Sequence, residues 1–186
     1  MSSPGTPLAS LLDGLASTAP APGAGAAAAW TGAIAAALVE MVSAIECRRE
    51  DASPHAAARR DRAGELRPLV LALADEDVAA YGAVLAARGD RARFREALAA
   101  AADPPLRIAR HGAELHELAV DAAANARGGV RGEALAAVAL ASAAVCACVP
   151  LVELNLGGAP DDPRLGEARG LRARAQSSWC SASASP

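Results

Sequence analysis

Ala19-Pro20-Ala21-Pro22-Gly23-Ala24-Gly25-Ala26 stands directly ahead of an alanine-rich, aliphatic run that reaches Arg49. Proline fixes φ and removes a donor, so the Pro-Ala-Pro segment is stiff. Glycine admits close approach of another group to the backbone. A helix that begins behind such a loop, without a Ser, Thr, Asp or Asn cap, presents free amide N–H groups at its positive end. That end favours an anion or a polar ligand. The plain alternative is a glycine-rich turn between two helices.

Working outward, similar punctuation divides the rest of the chain into helices. Thr6-Pro7 resembles a cap followed by proline at the first helical position and opens a short helix to about Ser17. The long helix from Ala26 ends near Arg49. Ser53-Pro54 opens a stretch to about Arg88, with Gly64 and Pro68 as possible bends. Gly89-Asp90 and Asp103-Pro104 start helices that end near Ala101 and Ala126. Residues 127–132 form a Gly-rich loop, and an apolar helix follows from Glu133 to about Leu156. Asp162-Pro163 opens a last helix to about Ser177. No stretch shows the two-residue alternation of a half-buried strand. The expected fold is therefore all-α: a single-domain bundle of long antiparallel helices over residues 1–178, with a disordered Ser- and Ala-rich tail at 179–186.

Composition narrows the packing and the partners. Hydrophobic residues make up 53% of the 186-residue chain but aromatics only 2%, so the core must be built from Ala, Leu and Val. Small side chains let helix backbones approach closely. All 18 basic residues are Arg, the net charge is −3, and one Phe, one Tyr and two Trp supply no aromatic platform for bases. A nucleic-acid partner is not expected. Cys47, Cys146, Cys148 and Cys180 form no C-x-x-C pair and read as small hydrophobes. His111 and His116 lie five apart and His55 is remote, so no metal site is expected. Ala19–Val39 and Ala134–Val152 are free of charge and long enough to span a bilayer. Their flanks are poor in basic residues and interfacial aromatics. We read them as central helices of a bundle or dimer and expect a soluble, cytoplasmic protein with no signal peptide.

Taken in order, Pro22-Gly23-x-Gly25, the alanine helix ending near Met41-Val42, Arg48-Arg49, Asp77-x-x-x-Tyr81, Pro105-Leu106 and Asn155-Leu156 resemble the C-terminal family of the formiminotransferase-cyclodeaminases. The resemblance spans roughly Leu8 to Arg174. The family includes methenyltetrahydrofolate cyclohydrolases and formiminotetrahydrofolate cyclodeaminases. It implies an all-α homodimer with a folate near the Gly-rich loop, no tightly bound cofactor, and a tetrahydrofolate derivative as substrate. The chain departs from the family pattern at several places. The family loop reads Pro-Gly-Gly-Gly-Ser, and Ala24 and Ala26 replace its second glycine and its serine. Arg48-Arg49 follows Cys47 where the family has glycine. The family's Ser-Asp pair falls on Arg131-Gly132, so Glu133 is the nearest acid. In Leu151-Val152-Glu153-Leu154-Asn155-Leu156, the first family Asn is gone and Glu153 is new.

The resemblance assigns Asp77 as the proton-transfer group. Cyclodeamination and cyclohydrolysis both need a group that takes a proton and returns it near neutral pH, and a carboxylate against apolar surface can do so. Tyr81, one turn on, falls on the same helical face. By the same resemblance, Pro22, Gly23, Ala24, Gly25, Ala26, Arg48, Arg49, Glu133, Glu153 and Asn155 bind substrate, with the arginines meeting an anionic tail. The alternatives are a solvated acidic run for Asp77, packing for Tyr81, a solvated helix end for the arginines and a first-turn acid for Glu133. Two other functions stay open: a relative that opens or closes a C–N ring on a non-folate molecule, and a non-catalytic dimeric binding protein.

Overall fold

A computed structural model describes residues 6–183, with side chains through residue 177. The described residues form seven helices and no strand: α1 (Leu8–Ala16), α2 (Ala24–Glu46), α3 (Ala56–Ala86), α4 (Arg91–Ala101), α5 (Asp103–Asn125), α6 (Val130–Asn155) and α7 (Pro163–Ser183). Asp90 caps α4, its carboxylate accepting from the backbone N–H groups of Ala92 and Arg93 at 3.0 and 3.1 Å. The Asp-Pro signal before α5 holds only in part: proline occupies the first turn and Asp103 supplies the early acid, but the N-cap is Ala102 and no side chain caps the helix. Thr6 and Ser53 do not act as expected, because α1 follows Pro7 and α3 follows His55 without a side-chain cap. The apolar helix begins at Val130, three residues before Glu133, since Gly129 already adopts helical angles. Helix α7 continues to Ser183, so residues 179–183 of the expected disordered tail are helical. Residues 184–186 lie outside the described residues.

Helices α3, α2, α6 and α7 lie side by side in that order, and α5 packs across the back of all four. Alanine and glycine set the spacing in this layer. A methyl on Gly32 would stand 3.0 Å from Val70 Cγ1 and 3.7 Å from Ala144 Cβ, so α2 meets α3 and α6 almost backbone to side chain. The core is aliphatic, with Leu66, Val70, Leu73, Leu106, Ile108, Leu115, Val145 and Val149 fully buried among many alanines. This packing runs the α2–α3 and α2–α6 pairs antiparallel. The start of α2 therefore meets the later part of α3 and the end of α6. At the opposite end, the buried Arg59 guanidinium ties three helices together. It donates to Ser43 Oγ at 2.9 Å and pairs with Glu46 and Asp121. Glu46 also accepts from the Ser53 backbone N–H at 3.0 Å.

Helices α2 and α6 are long and apolar enough to cross a membrane by length and composition, and about half of each such stretch is buried inside the bundle.

Candidate functional site

The Gly-rich segment delivers α2 into the bundle with Gly23 at its N-cap in an extended conformation and no capping side chain of its own. The missing cap comes from another helix. The Asp77 carboxylate, on α3, accepts a hydrogen bond from the backbone N–H of Ala26. It lies so close to Gly25 that a Cβ built there would overlap the carboxyl group. Glycine at 25 is thus a steric requirement of the Asp77 position. It is not a requirement of backbone angle, because Gly25 has no positive φ.

Asp77 lines a pocket of about 340 Å³ with Pro20, Ala21, Gly23, Ala24, Gly25, Val78, Tyr81, Ala101, Leu151, Leu154 and Asn155. Its carboxyl pKa is raised above the ordinary aspartate value because burial disfavours the charged form, while the Ala26 N–H pulls the other way. Beneath it, Cys148 is fully buried, and burial followed by the Asp77 charge pushes its thiol pKa upward. The thiol is thus held protonated, in the core behind the pocket lining. Tyr81 borders the pocket at 40% exposure. The Asn155 amide donates to the Ala101 carbonyl at 2.9 Å, which holds the end of α6 against the end of α4.

Of the residues expected at the site, Gly23, Ala24, Gly25, Asp77, Tyr81 and Asn155 come together in one pocket. Ala26 contributes only its backbone. Its side chain is fully buried, so the serine-to-alanine departure falls in the core and not in the ligand space. Pro22 lines a neighbouring cavity of about 230 Å³ beneath α1, with Trp30 and Asp75. Arg48 and Arg49 are misplaced by the earlier expectation: α2 carries them about 33 Å from the Gly-rich loop. Arg49 is occupied there by Asp51 at 2.9 Å and the Asn125 carbonyl at 3.0 Å. Glu133 sits exposed in the first turn of α6, at that same far end. Glu153 faces α7 and pairs with Arg169 at 2.7 Å. Val78, Leu151 and Leu154 were not anticipated, although Leu151 precedes Asn155 by one helical turn and shares its face.

The cysteines divide: Cys148 is buried, while Cys47 and Cys146 are only partly so. The Cys180 side chain lies outside the described residues. Burial lowers the pKa of both His111 and His116. Neither lines the pocket. Among the described residues, no three His, Cys, Asp or Glu side chains cluster as metal ligands would.

Comparison with known proteins gives a consistent result. Residues 7–170 match the formiminotransferase-cyclodeaminase family. A methenyltetrahydrofolate cyclohydrolase from Methylorubrum extorquens is 34% identical, over 88% of each chain. The crystal structure of formiminotetrahydrofolate cyclodeaminase from Thermotoga maritima superposes with a TM-score of 0.88 at 25% identity, covering 95% of this chain and 93% of that one.

Proposed function

The chain belongs to the formiminotransferase-cyclodeaminase family, and from that premise we propose that it is a folate cyclohydrolase that opens the bridged ring of methenyltetrahydrofolate. The observation that carries the assignment is the Asp77 carboxyl, which is partly desolvated, fixed by the Ala26 N–H and aimed across Gly25 into the pocket.

The substrate holds a one-carbon bridge between two nitrogens as a cationic amidinium. Asp77 as carboxylate takes a proton from water while the water oxygen bonds to the bridging carbon. The product of that addition is a neutral tetrahedral aminal alcohol. Asp77 then returns the proton to one of the two nitrogens, that C–N bond breaks, and the hydroxyl proton leaves to solvent. Ring opening yields a formyl amide, and the sum is substrate cation plus water to formyl product plus a proton. A raised carboxyl pKa suits both halves, since it makes the group a better base and then a competent acid. Tyr81 borders the same pocket one turn away and orients or stacks on the ring system. The backbone N–H groups at the start of α2 give the attacking water's oxygen a polar surface.

The cyclodeaminase reaction uses the same proton exchange with ammonia as leaving group, so the pocket accommodates either member of the family. We favour hydrolysis because the relative with 34% identity across 88% of both chains is a cyclohydrolase. The reading also includes a homodimer acting in the cytoplasm, with no tightly bound cofactor. The test is direct. Purified protein is mixed with methenyltetrahydrofolate, and loss of the amidinium chromophore is followed for wild type and Asp77→Asn. Turnover by the wild type that the variant lacks supports the assignment. Wild type that neither hydrolyses nor is thermally stabilised by this compound sends the search to other cyclic amidines.

A further inference from the structure

Among the described residues, two side-chain nitrogens are buried without a hydrogen-bond partner, Trp30 Nε1 and His116 Nε2. The His116 ring still meets the Val138 carbonyl through its other nitrogen, at 3.3 Å. The indole has a single polar group, and it is a donor. Trp30 is 7% exposed, so this N–H is taken out of solvent without an acceptor from the chain. A buried donor left unpaired is costly, and such a group calls for a partner from elsewhere.

Trp30 stands in the wall of the cavity of about 230 Å³ beneath α1. Leu11, Gly14, Pro22 and Val78 give that cavity apolar sides, and Asp75 brings a carboxylate to it. A ligand that suits this lining is flat and carries, along one edge, a carbonyl for the indole N–H and N–H donors for the carboxylate. A carboxylate offers about four lone-pair positions, so Asp75 can accept from a ligand alongside its contact within the chain. The cover is α1, in which no residue is buried, so it can lift without opening the core.

The place of this cavity beside Asp77 says which ligand has that edge. Ala21 and Val78 line both the cavity and the Asp77 pocket. Around α3, Val78 falls between Asp77 and Asp75, because successive residues turn by about 100°. Along α2, Trp30 lies about 6 Å beyond Ala26, whose N–H holds Asp77. The bridged folate has the same layout. Its reacting carbon is bonded to a nitrogen of a two-ring head, and the outer ring of that head carries a carbonyl, an N–H and an amino group in a row.

We propose that the cavity beneath α1 holds this outer ring, with the Trp30 N–H donating to its carbonyl and Asp75 accepting from its N–H and amino groups. The head then lies across Ala21 and Val78, with the bridging carbon at Asp77 and the aryl arm toward Tyr81, Leu151 and Asn155. Trp30 and Asp75 select the substrate and take no part in proton transfer. The placement rests on the reading of the Asp77 pocket as a folate site.

Trp30→Phe keeps a flat ring and removes the N–H. It raises KM for methenyltetrahydrofolate about three- to tenfold with kcat within about twofold, the mark of lost uniform binding. Asp75→Asn removes the charged acceptor and raises KM at least about tenfold. Calorimetry with the two halves of the substrate separates recognition from a packing defect. The head alone is supplied as 6-methyltetrahydropterin and the arm alone as p-aminobenzoylglutamate. Both variants bind the head more weakly by the same factors and bind the arm as wild type does, and either variant that folds decides the matter. Unchanged KM and head affinity in an active enzyme overturn the placement and leave the folate reading standing. Equal weakening toward head and arm also overturns it, since the substitutions would then only loosen the fold. A wild type that binds the head through Trp30 but does not hydrolyse methenyltetrahydrofolate upholds the cavity assignment and removes the hydrolase reading alone. A wild type that neither binds the head nor hydrolyses overturns both.

Discussion

Gly25→Ala isolates the geometry of the site from its chemistry, because it leaves every functional group in place. The added methyl falls on the Asp77 carboxyl, which must rotate away and give up the Ala26 N–H. Stability changes little. Replacing a helical glycine by alanine gains up to about 1 kcal/mol. Overpacking a buried position costs about 1–3 kcal/mol, and a swinging carboxylate relieves part of that. The net loss of at most about 2 kcal/mol corresponds to a fall of about 4–8 °C in melting temperature for a chain of this size. Activity responds on another scale. A misplaced general base forfeits its catalytic contribution, about 10²–10⁴-fold in kcat. The assay is the steady-state decay of the methenyltetrahydrofolate chromophore beside a thermal melt. Gly82→Ala, on α3 next to Tyr81 where an added methyl meets nothing within 4 Å, serves as the control and keeps full activity. A Gly25→Ala enzyme that turns over within about twofold of wild type refutes the reasoning. It would mean that the position of Asp77 over the start of α2 is irrelevant to the reaction.

Asp77→Asn keeps the shape and the Ala26 hydrogen bond but cannot exchange a proton, so kcat falls by about 10²–10⁴-fold. Its stability has a definite sign. The Asp77 pKa is higher in the folded chain than in the unfolded one. The stabilisation it provides is therefore complete below the unfolded value and is lost as pH rises through the folded one. The variant should match wild type at acid pH, below the unfolded value, and melt above it at pH 7; a variant less stable at pH 7 would contradict the desolvated seat. In wild type, kcat/KM should decline on acidification with a midpoint above the usual aspartate pKa, a limb absent from the residual activity of Asp77→Asn. Tyr81→Phe retains the ring and should lose about tenfold or less in kcat, and a loss equal to that of Asp77→Asn would make the hydroxyl a proton carrier. Arg59→Met leaves Glu46 buried and unpaired, so denaturant titration should show a loss of about 3–5 kcal/mol. Pairing it with Glu46→Met should recover part of that loss.

Helix order was readable because it is written in neighbouring residues. Asp90 caps the helix it precedes, Asp103-Pro104 opens the next, and Gly89 takes the positive φ of 105° that ends α3. The site was only half readable. Gly23, Ala24 and Gly25 announce a helix entrance, but nothing local says that Asp77, some fifty residues on, supplies the missing cap. Family resemblance singled out Asp77 as a site residue, but not its hydrogen bond to the start of α2. Arg59 is the opposite case. A charged residue in a polar run looks solvated, and its burial follows from Ser43, Glu46 and Asp121 converging from other helices.

The arginine expectation failed for an instructive reason. The family resemblance set Arg48 and Arg49 against the anionic tail of a substrate held near the glycine loop. A rigid helix forbids this, since each residue adds about 1.5 Å in one direction. What returns to the loop is the next antiparallel partner. Residues of α3 near Val70 lie opposite Gly32, and residues a further turn or two along lie opposite Gly25. The antiparallel register thus brings Asp77 to the start of α2 and Arg59 to its end. It assigns the desolvated carboxylate to the open, glycine-lined mouth and the neutralised one, Glu46, to the closed end. Both carboxylates are taken from water, but only Asp77 lacks a guanidinium partner among its described contacts. A carboxylate paired with a buried guanidinium holds helices together. One held only by a backbone N–H stays able to gain and lose a proton, which the proposed ring opening requires.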